Sequence, residues 1–94
     1  MLDFRMDTFL AVCQCMNYTR AAEMLSITQP AVSQHIRYLE EEYQTKLFVQ
    51  RGRRIELTES GVLLMHTVLR MQHDVMHLKK EIEKQEGRRR KLCF

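Results

Sequence analysis

Between Thr19 and Leu39 the chain reads TRAAEMLSITQPAVSQHIRYL, two helical patterns separated by only three residues, Ser26-Ile27-Thr28. So short a connection forces the two helices to meet at a sharp angle, which leaves few architectures open. In the first pattern Ala21, Ala22 and Leu25 form a small apolar face that lets another helix approach closely, while Arg20 and Glu23 stay wet. Asn17 or Thr19 can cap its start. In the connection, Ile27 plugs the corner between two hydroxyl residues and Thr28 caps the next helix. Pro30 falls in the first turn of that helix, where a missing N–H costs nothing because those donors have no internal partner.

The second pattern places Val32, Ile36, Leu39 and Tyr43 on one stripe at spacings of four, three and four. Its opposite arc carries Pro30, Ser33, Gln34 and Arg37, with Tyr38 at the margin and Gln29 at the helix start. These side chains suit the edges of base pairs in a DNA major groove. A Gln amide can pair bidentately with adenine, Arg with guanine, and Ser with donors or acceptors, while Pro30 and Ala31 can touch a thymine methyl. An ordinary amphipathic helix with a solvated face shares such an arc, so the arc alone does not decide the matter.

Downstream, LFVQRGRRIELT from Leu47 to Thr58 reads as two short strands around Arg51-Gly52-Arg53, with Ile55 and Leu57 alternating with Arg54 and Glu56. Gly52 offers the positive φ that a tight hairpin needs. Arg51, Arg53 and Arg54 at the hairpin tip can reach phosphates or a narrow minor groove, where the potential is most negative. A solvated basic turn is the plainer alternative. Helix, helix and hairpin in this order predict a mainly α winged helix-turn-helix. Its DNA-contacting set is then Thr28, Gln29, Pro30, Ala31, Ser33, Gln34, Arg37, Arg51, Arg53 and Arg54.

From about Leu2 to Leu78 the chain resembles the N-terminal domain of LysR-type transcriptional regulators, through FLAV, TRAAEMLSITQPAVSQHIRYLE, KLF, GRR and LTESG at that family's usual separations. The match spans about four-fifths of the chain, and the QPAVS element is quite specific. Two positions depart from the pattern. Gln44 stands where the family usually has a glycine after the recognition helix, which fills a left-handed cap at a cost of roughly 1 kcal/mol. Gln50 stands where an arginine usually follows the LF pair, which puts one contact at the base of the wing in question.

Ninety-four residues suit one small domain, and no apolar run approaches the ~20 residues needed to span a membrane. The beginning, MLDFRMDTF, is too charged for a signal peptide, and the cysteines read most simply as reduced thiols in a cytoplasmic protein. The net charge of +3 is unevenly held: residues 79–94 carry seven Lys/Arg against three Asp/Glu, leaving eight against nine in residues 1–78. DNA affinity must therefore come from the local placement of Arg37, Arg51, Arg53 and Arg54. Three cysteines, with Cys13 and Cys15 two apart on a helix, fit neither a disulfide framework nor a zinc spacing. On that first helix, capped by Asp3, the stripe Met6, Phe9, Leu10 and Cys13 makes Cys13 core filler.

From Glu59 to Gln85, started by Thr58, a long helix repeats Leu64, Val68, Met71, Val75, Leu78 and Ile82 at heptad spacing, a stripe about 27 Å long. A headpiece of residues 1–58 cannot cover all of it, so the same helix of a second copy is the expected cover. Val62, Met65, Leu69 and Met76 form a neighbouring stripe suited to the chain's own headpiece. With Val68 at position a, a parallel pair matches Asp74 with Lys79 but opposes Glu81 to Glu86, so charge leaves the orientation open. Resemblance to the family implies an antiparallel pair. His66, His73 and His77 fall near one face at spacings of seven and four, but His66 and His73 point away from the seam and read as solvated rather than as a metal site.

Gly87 is expected to end the helix of residues 59–86. Residues 87–94, closing on Leu92-Cys93-Phe94, then look like a hinge and the first strand of an effector-binding domain absent from this chain. The resemblance implies a small-molecule effector for that domain, double-stranded DNA and a homodimer as partners, and room for a tetramer in a longer protein. No cofactor is expected. The rival to a dimeric, sequence-specific regulator is a coiled-coil scaffold module, which has no need of three arginines beside a Gln-Pro helix start. Catalysis is remote, since the chain offers no nucleophile with a base at workable spacing, no phosphate loop, and no carboxylate cluster beyond the solvated run Glu40-Glu41-Glu42.

Overall fold

The computed structural model describes residues 3–92, with side chains described through Gly87. Four helices and one hairpin follow in the order α1 (Phe4–Cys15), α2 (Tyr18–Leu25), α3 (Gln29–Tyr43), β1 (Phe48–Arg51), β2 (Arg54–Leu57) and α4 (Glu59–Leu92). This is the mainly helical winged arrangement that the sequence predicts. Each of the first three helices starts on a side chain that accepts an otherwise unpartnered backbone N–H: Asp3 from Arg5, Asn17 from Arg20 and Thr28 from Ala31. Between the two capping candidates for α2, Asn17 holds the position. Each of the three also ends on a non-glycine residue in the left-handed region, Met16 at φ 50°, Ser26 at 57° and Gln44 at 53°. The sharp exits keep their cap hydrogen bonds, so the strain is borne at turns that the topology demands.

Phe9, Val12, Ala21, Val32, Ile36, Leu39 and Leu47 form the centre of the core, closed from the wing side by Phe48. Phe48 meets Phe9 at 5.6 Å and stands edge-on to Tyr18 at 6.1 Å. Ala21 and Ala22 are buried where α2 meets its neighbours, and Ile27 packs against the core from the corner. Tyr43, expected on the buried stripe of α3, is instead 45% exposed. It sits past the end of the core and lines an open hollow with Leu63 and Leu64.

Several contacts converge on Leu47. Its N–H donates to Glu40 Oε2 at 2.8 Å, with the Phe48 N–H at 3.4 Å from the same oxygen, and its carbonyl accepts the Thr58 N–H at 3.0 Å. The Thr58 hydroxyl donates to Lys46 O at 2.6 Å and accepts from the Gly61 N–H at 2.9 Å, so one residue closes the hairpin and caps α4. Glu40 is therefore no part of a solvated carboxylate run: its side chain is mostly buried, with Lys46 Nζ 3.8 Å from its second oxygen. Periodicity gives no sign of this, because the N–H donors that Glu40 accepts from arrive seven and eight residues later.

Two expectations for α4 change. The helix does not stop at Gly87 but runs on to Leu92. A helical glycine costs about 1 kcal/mol but does not break a helix flanked by good formers such as Glu83-Lys84-Gln85-Glu86. Cys93 and Phe94, expected to begin a strand, lie outside the described residues. The heptad stripe is also divided. Val68 is 1% exposed within the headpiece core and so is not free for a partner, and Leu64 is partly buried against that core, whereas Met71, Val75, Leu78 and Ile82 lie exposed beyond it. Of the stripe assigned to the headpiece only Met65 packs there; Val62, Leu69 and Met76 are exposed. At 100° per residue, Gly61, Leu64, Met65 and Val68 share one arc. The first turns of the seam are thus covered by the chain itself.

Gly61 sits so close to the joint that a Cβ there would strike the Leu47 carbonyl oxygen and approach Leu57 Cδ2 at 2.7 Å. Alanine normally stabilises a helix interior over glycine. Gly61→Ala should do the reverse, destabilising by about 1–3 kcal/mol, read as a fall in Tm; an unchanged or raised Tm would mean that α4 moves freely away from Leu47. Gln44 offers the opposite case. With φ at 53°, Gln44→Gly should relieve left-handed strain and raise stability by about 1 kcal/mol in a denaturant titration.

Candidate nucleic-acid interface

The outward face of α3 is assembled from its first turns. Thr28 Oγ1 accepts the Ala31 N–H at 3.2 Å and Thr28 O the Val32 N–H at 3.2 Å, and Pro30 has no N–H, so the start of α3 is closed by its own cap. Gln29 Nε2 donates to Ser33 Oγ at 3.1 Å, so two side chains of the polar arc are ordered with respect to each other. Gln29, Pro30, Gln34 and Arg37 are exposed, while Ala31 and Ser33 are half-buried at the edges of the arc. The arc is therefore open to an outside partner over two turns of helix.

The hairpin pairs Phe48 with Leu57, Val49 with Glu56, Gln50 with Ile55 and Arg51 with Arg54. Gly52 takes φ +59° as the first of two central turn residues, a position where glycine suits the twist of a tight hairpin. Because paired residues share a face, Arg51, Arg54, Val49 and Glu56 lie on one side and Phe48, Gln50, Ile55 and Leu57 on the other. Arg51 and Arg54, opposite each other, would repel, and Glu56 offsets this with a carboxylate oxygen 2.9 Å from Arg51 Nε. Gln50, the departure at the wing base, donates from Nε2 to Gly52 O at 2.9 Å and so braces the turn.

The structure thus separates the three wing arginines. Arg51 is engaged within the hairpin and Arg54 shares its face, whereas Arg53 at the tip lines a hollow of about 460 Å³ together with Asn17, Thr19, Gln29 and Gln50. The starts of α2 and α3 and the tip of the wing meet at this hollow. Asn17 and Thr19 were legible as capping candidates but not as part of this surface, since only the folded chain brings the start of α2 beside the wing. At the hollow's floor, burial and then the negative charge of Glu40 raise the Tyr18 phenol above its usual pKa, so it stays a neutral hydroxyl.

Other candidate groups lie elsewhere. Cys13 is half-buried against the core, and burial pushes its thiol up to about 12. His66, His73 and His77 stand on exposed α4, with His73 3.9 Å from Asp74 and His77 3.8 Å from Glu81. Among the described residues no three His, Cys, Asp or Glu side chains gather as a metal site requires. No described helix is long and apolar enough to cross a membrane.

Comparison with known proteins points one way. Residues 5–62 match the family described as bacterial regulatory helix-turn-helix protein, lysR family. An uncharacterized HTH-type transcriptional regulator, YxjO of Bacillus subtilis, is 44% identical over 68 residues, which cover 72% of this chain and 23% of that protein. The crystal structure of a LysR-family transcriptional regulator from Eggerthella lenta is 59% identical with a TM-score of 0.69, covering 72% of this chain and 97% of that one. DarR of Vibrio fischeri, solved in complex with DNA, is 28% identical with a TM-score of 0.77 and covers 93% of this chain and 30% of its own. The chain spans about a quarter of the length of curated relatives such as YxjO.

Proposed function

Because the chain belongs to the LysR family of bacterial regulatory helix-turn-helix proteins, we propose that it is the DNA-reading part of a sequence-specific transcriptional regulator that binds a partly palindromic duplex as a dimer. The observation that carries this reading is that Gln29, ordered by its hydrogen bond to Ser33, and Arg53 line one hollow. A helix start bearing short polar side chains suits base edges, and an arginine beside it suits the adjacent phosphates or minor groove. In this reading Gln29, Pro30, Ala31, Ser33, Gln34 and Arg37 enter the major groove, Thr28 supports the helix start, and Arg53 leads the wing while Arg54 and Arg51 stand behind it.

The dimer would form through the exposed part of the α4 stripe, Met71, Val75, Leu78 and Ile82, which has the apolar periodicity of a helix pair. Residues 1–58 serve as the reading headpiece and 59–86 as the dimerisation helix, with 87–94 leading towards an effector-binding domain. That domain would take a small-molecule effector in a longer cytoplasmic protein, where tetramers could assemble. A scaffold role is disfavoured by the wing, since an apolar helix pair has no need of an arginine at the wing tip beside the start of α3.

Selection of bound duplexes from a random pool tests the proposal, which expects a preferred sequence with two-fold symmetry. Half-sites should be separated by about one helical turn, ~34 Å, or a multiple. Gln29→Ala or Arg37→Ala should lose ~1–3 kcal/mol at particular base pairs and leave other positions unchanged. Equal weakening on every sequence would restrict these residues to phosphate contacts. Changing Met71 and Val75 together to aspartate should shift sedimentation towards monomer and lower DNA affinity with it. A double variant that stays dimeric would assign the stripe to another partner.

A further inference from the structure

We infer that Arg5, stacked on Tyr38, forms a second phosphate-binding edge of the recognition surface, on the side of α3 opposite the wing. This rests on the reading that α3 lies in a DNA major groove.

The two flanks of α3 follow from its helical phase. Gln29 stands on the flank that shares a hollow with Arg53, and at 100° per residue Ala31, His35 and Tyr38 lie on the other flank. There α1 is fastened to α3 by its first turn. The Thr8 hydroxyl donates to Phe4 O at 3.1 Å and shares a hydrogen bond of 2.8 Å with His35 Nδ1, and the Phe4 ring stands edge-on to the imidazole at 5.0 Å. This fastening carries Arg5 to the margin of the polar arc, where its guanidinium lies 3.8 Å from the Tyr38 ring centre and 4.7 Å from that of Phe4. Tyr38 itself is 44% exposed.

A helix with its side chains is 10–12 Å across and the major groove about 12 Å wide, so a helix lying in that groove has a phosphate chain on each side. Arg53 serves one side. Of the groups described here on the other side, Arg5 has the charge and the donors to serve it. Asp3 Oδ2 forms a loose ion pair with Arg5 Nη1 at 3.6 Å, longer than a hydrogen bond, and the guanidinium, its side chain 29% exposed, offers a phosphate the donors that Asp3 does not take. Stacking fixes the plane of the guanidinium and thus reduces the ordering needed when it meets a phosphate. With acids outnumbering bases in residues 1–78, a preplaced cation at this margin matters more than it would in a basic domain.

The test is the binding of the whole chain to a mixed-sequence duplex of about 30 base pairs across a salt series, in which each lost phosphate contact lowers the slope of log affinity against log salt by about 0.9. Arg5→Gln should lower that slope by one such step, and Arg5→Lys should restore it although the planar stack is gone. Melting of each variant, followed by circular dichroism, separates a fold defect from a lost contact, since a merely structural role would weaken binding without changing the slope and would not be rescued by lysine. An Arg5→Gln slope equal to the parent's, or no rescue by lysine, overturns the inference. The Arg53→Ala, Arg54→Ala double variant serves as reference: if it lowers the slope while Arg5→Gln does not, the second edge alone falls. If the parent chain binds duplex without salt dependence, the DNA-binding reading falls and the second edge with it.

Discussion

The backbone of Leu47 is the point on which the rest of the molecule depends. Its N–H is held by the Glu40 carboxylate from α3, its carbonyl by the Thr58 N–H at the foot of α4, and its side chain is buried in the core. A charged acceptor serving a backbone N–H is stronger than a neutral one, and the half-buried setting makes its loss costly. Three elements, α3, the wing and the long helix α4, therefore meet at one residue. Gly61 allows this meeting, because any side chain there would occupy the space of the Leu47 carbonyl.

That joint sets where the wing can point. The hairpin is only four residues per strand, too short to hold its own direction in water. Its direction comes from Phe48 anchored between Phe9 and Tyr18 and from the Leu47–Thr58 bond that prolongs the ladder. The arginines at its tip then differ in role through register alone: Arg51 and Arg54 are paired across the strands beside Glu56, while Arg53 is carried at the turn towards Gln29.

Local chemistry was well encoded in the sequence. Asp3, Asn17, Thr28 and Thr58 mark helix starts by their capping oxygens, Gly52 marks the turn, and Val32, Ile36 and Leu39 mark the buried face of α3, all as observed. What periodicity does not encode is which neighbour covers an apolar face. The α4 stripe is continuous in sequence, yet the headpiece covers Leu64 and Val68 and leaves Met71 onwards bare. Tyr43 has the right phase for burial but lies past the end of the core. Glu40 sits in a row of three glutamates, and only the returning chain at Leu47 distinguishes it from Glu41 and Glu42. Gly87 does not stop α4, since a lone glycine lowers helix propensity without supplying the left-handed cap bonds that end a helix. For the interface, the polar arc and the basic turn were visible as separate signals; their meeting around one hollow with the start of α2 was not.

In the proposed dimer, the division of the α4 stripe would couple dimerisation to reading. Had the whole stripe been free, a headpiece could swing about the start of α4, and a dimer would present its two recognition helices at variable spacing. Instead the first turns of α4 are locked by Val68 and Leu64 in the core and by Thr58 and Gly61 at the Leu47 joint. The headpiece and the exposed seam thus form one lever: rotation of the seam by one residue, about 100°, would turn each headpiece by the same angle and carry its recognition helix out of line with the groove. In the proposed dimer, half-site spacing is therefore fixed by the packing of Met71, Val75, Leu78 and Ile82 rather than by any residue that touches a base. A change on that seam can alter which spacing is read while leaving the base preference within each half-site intact.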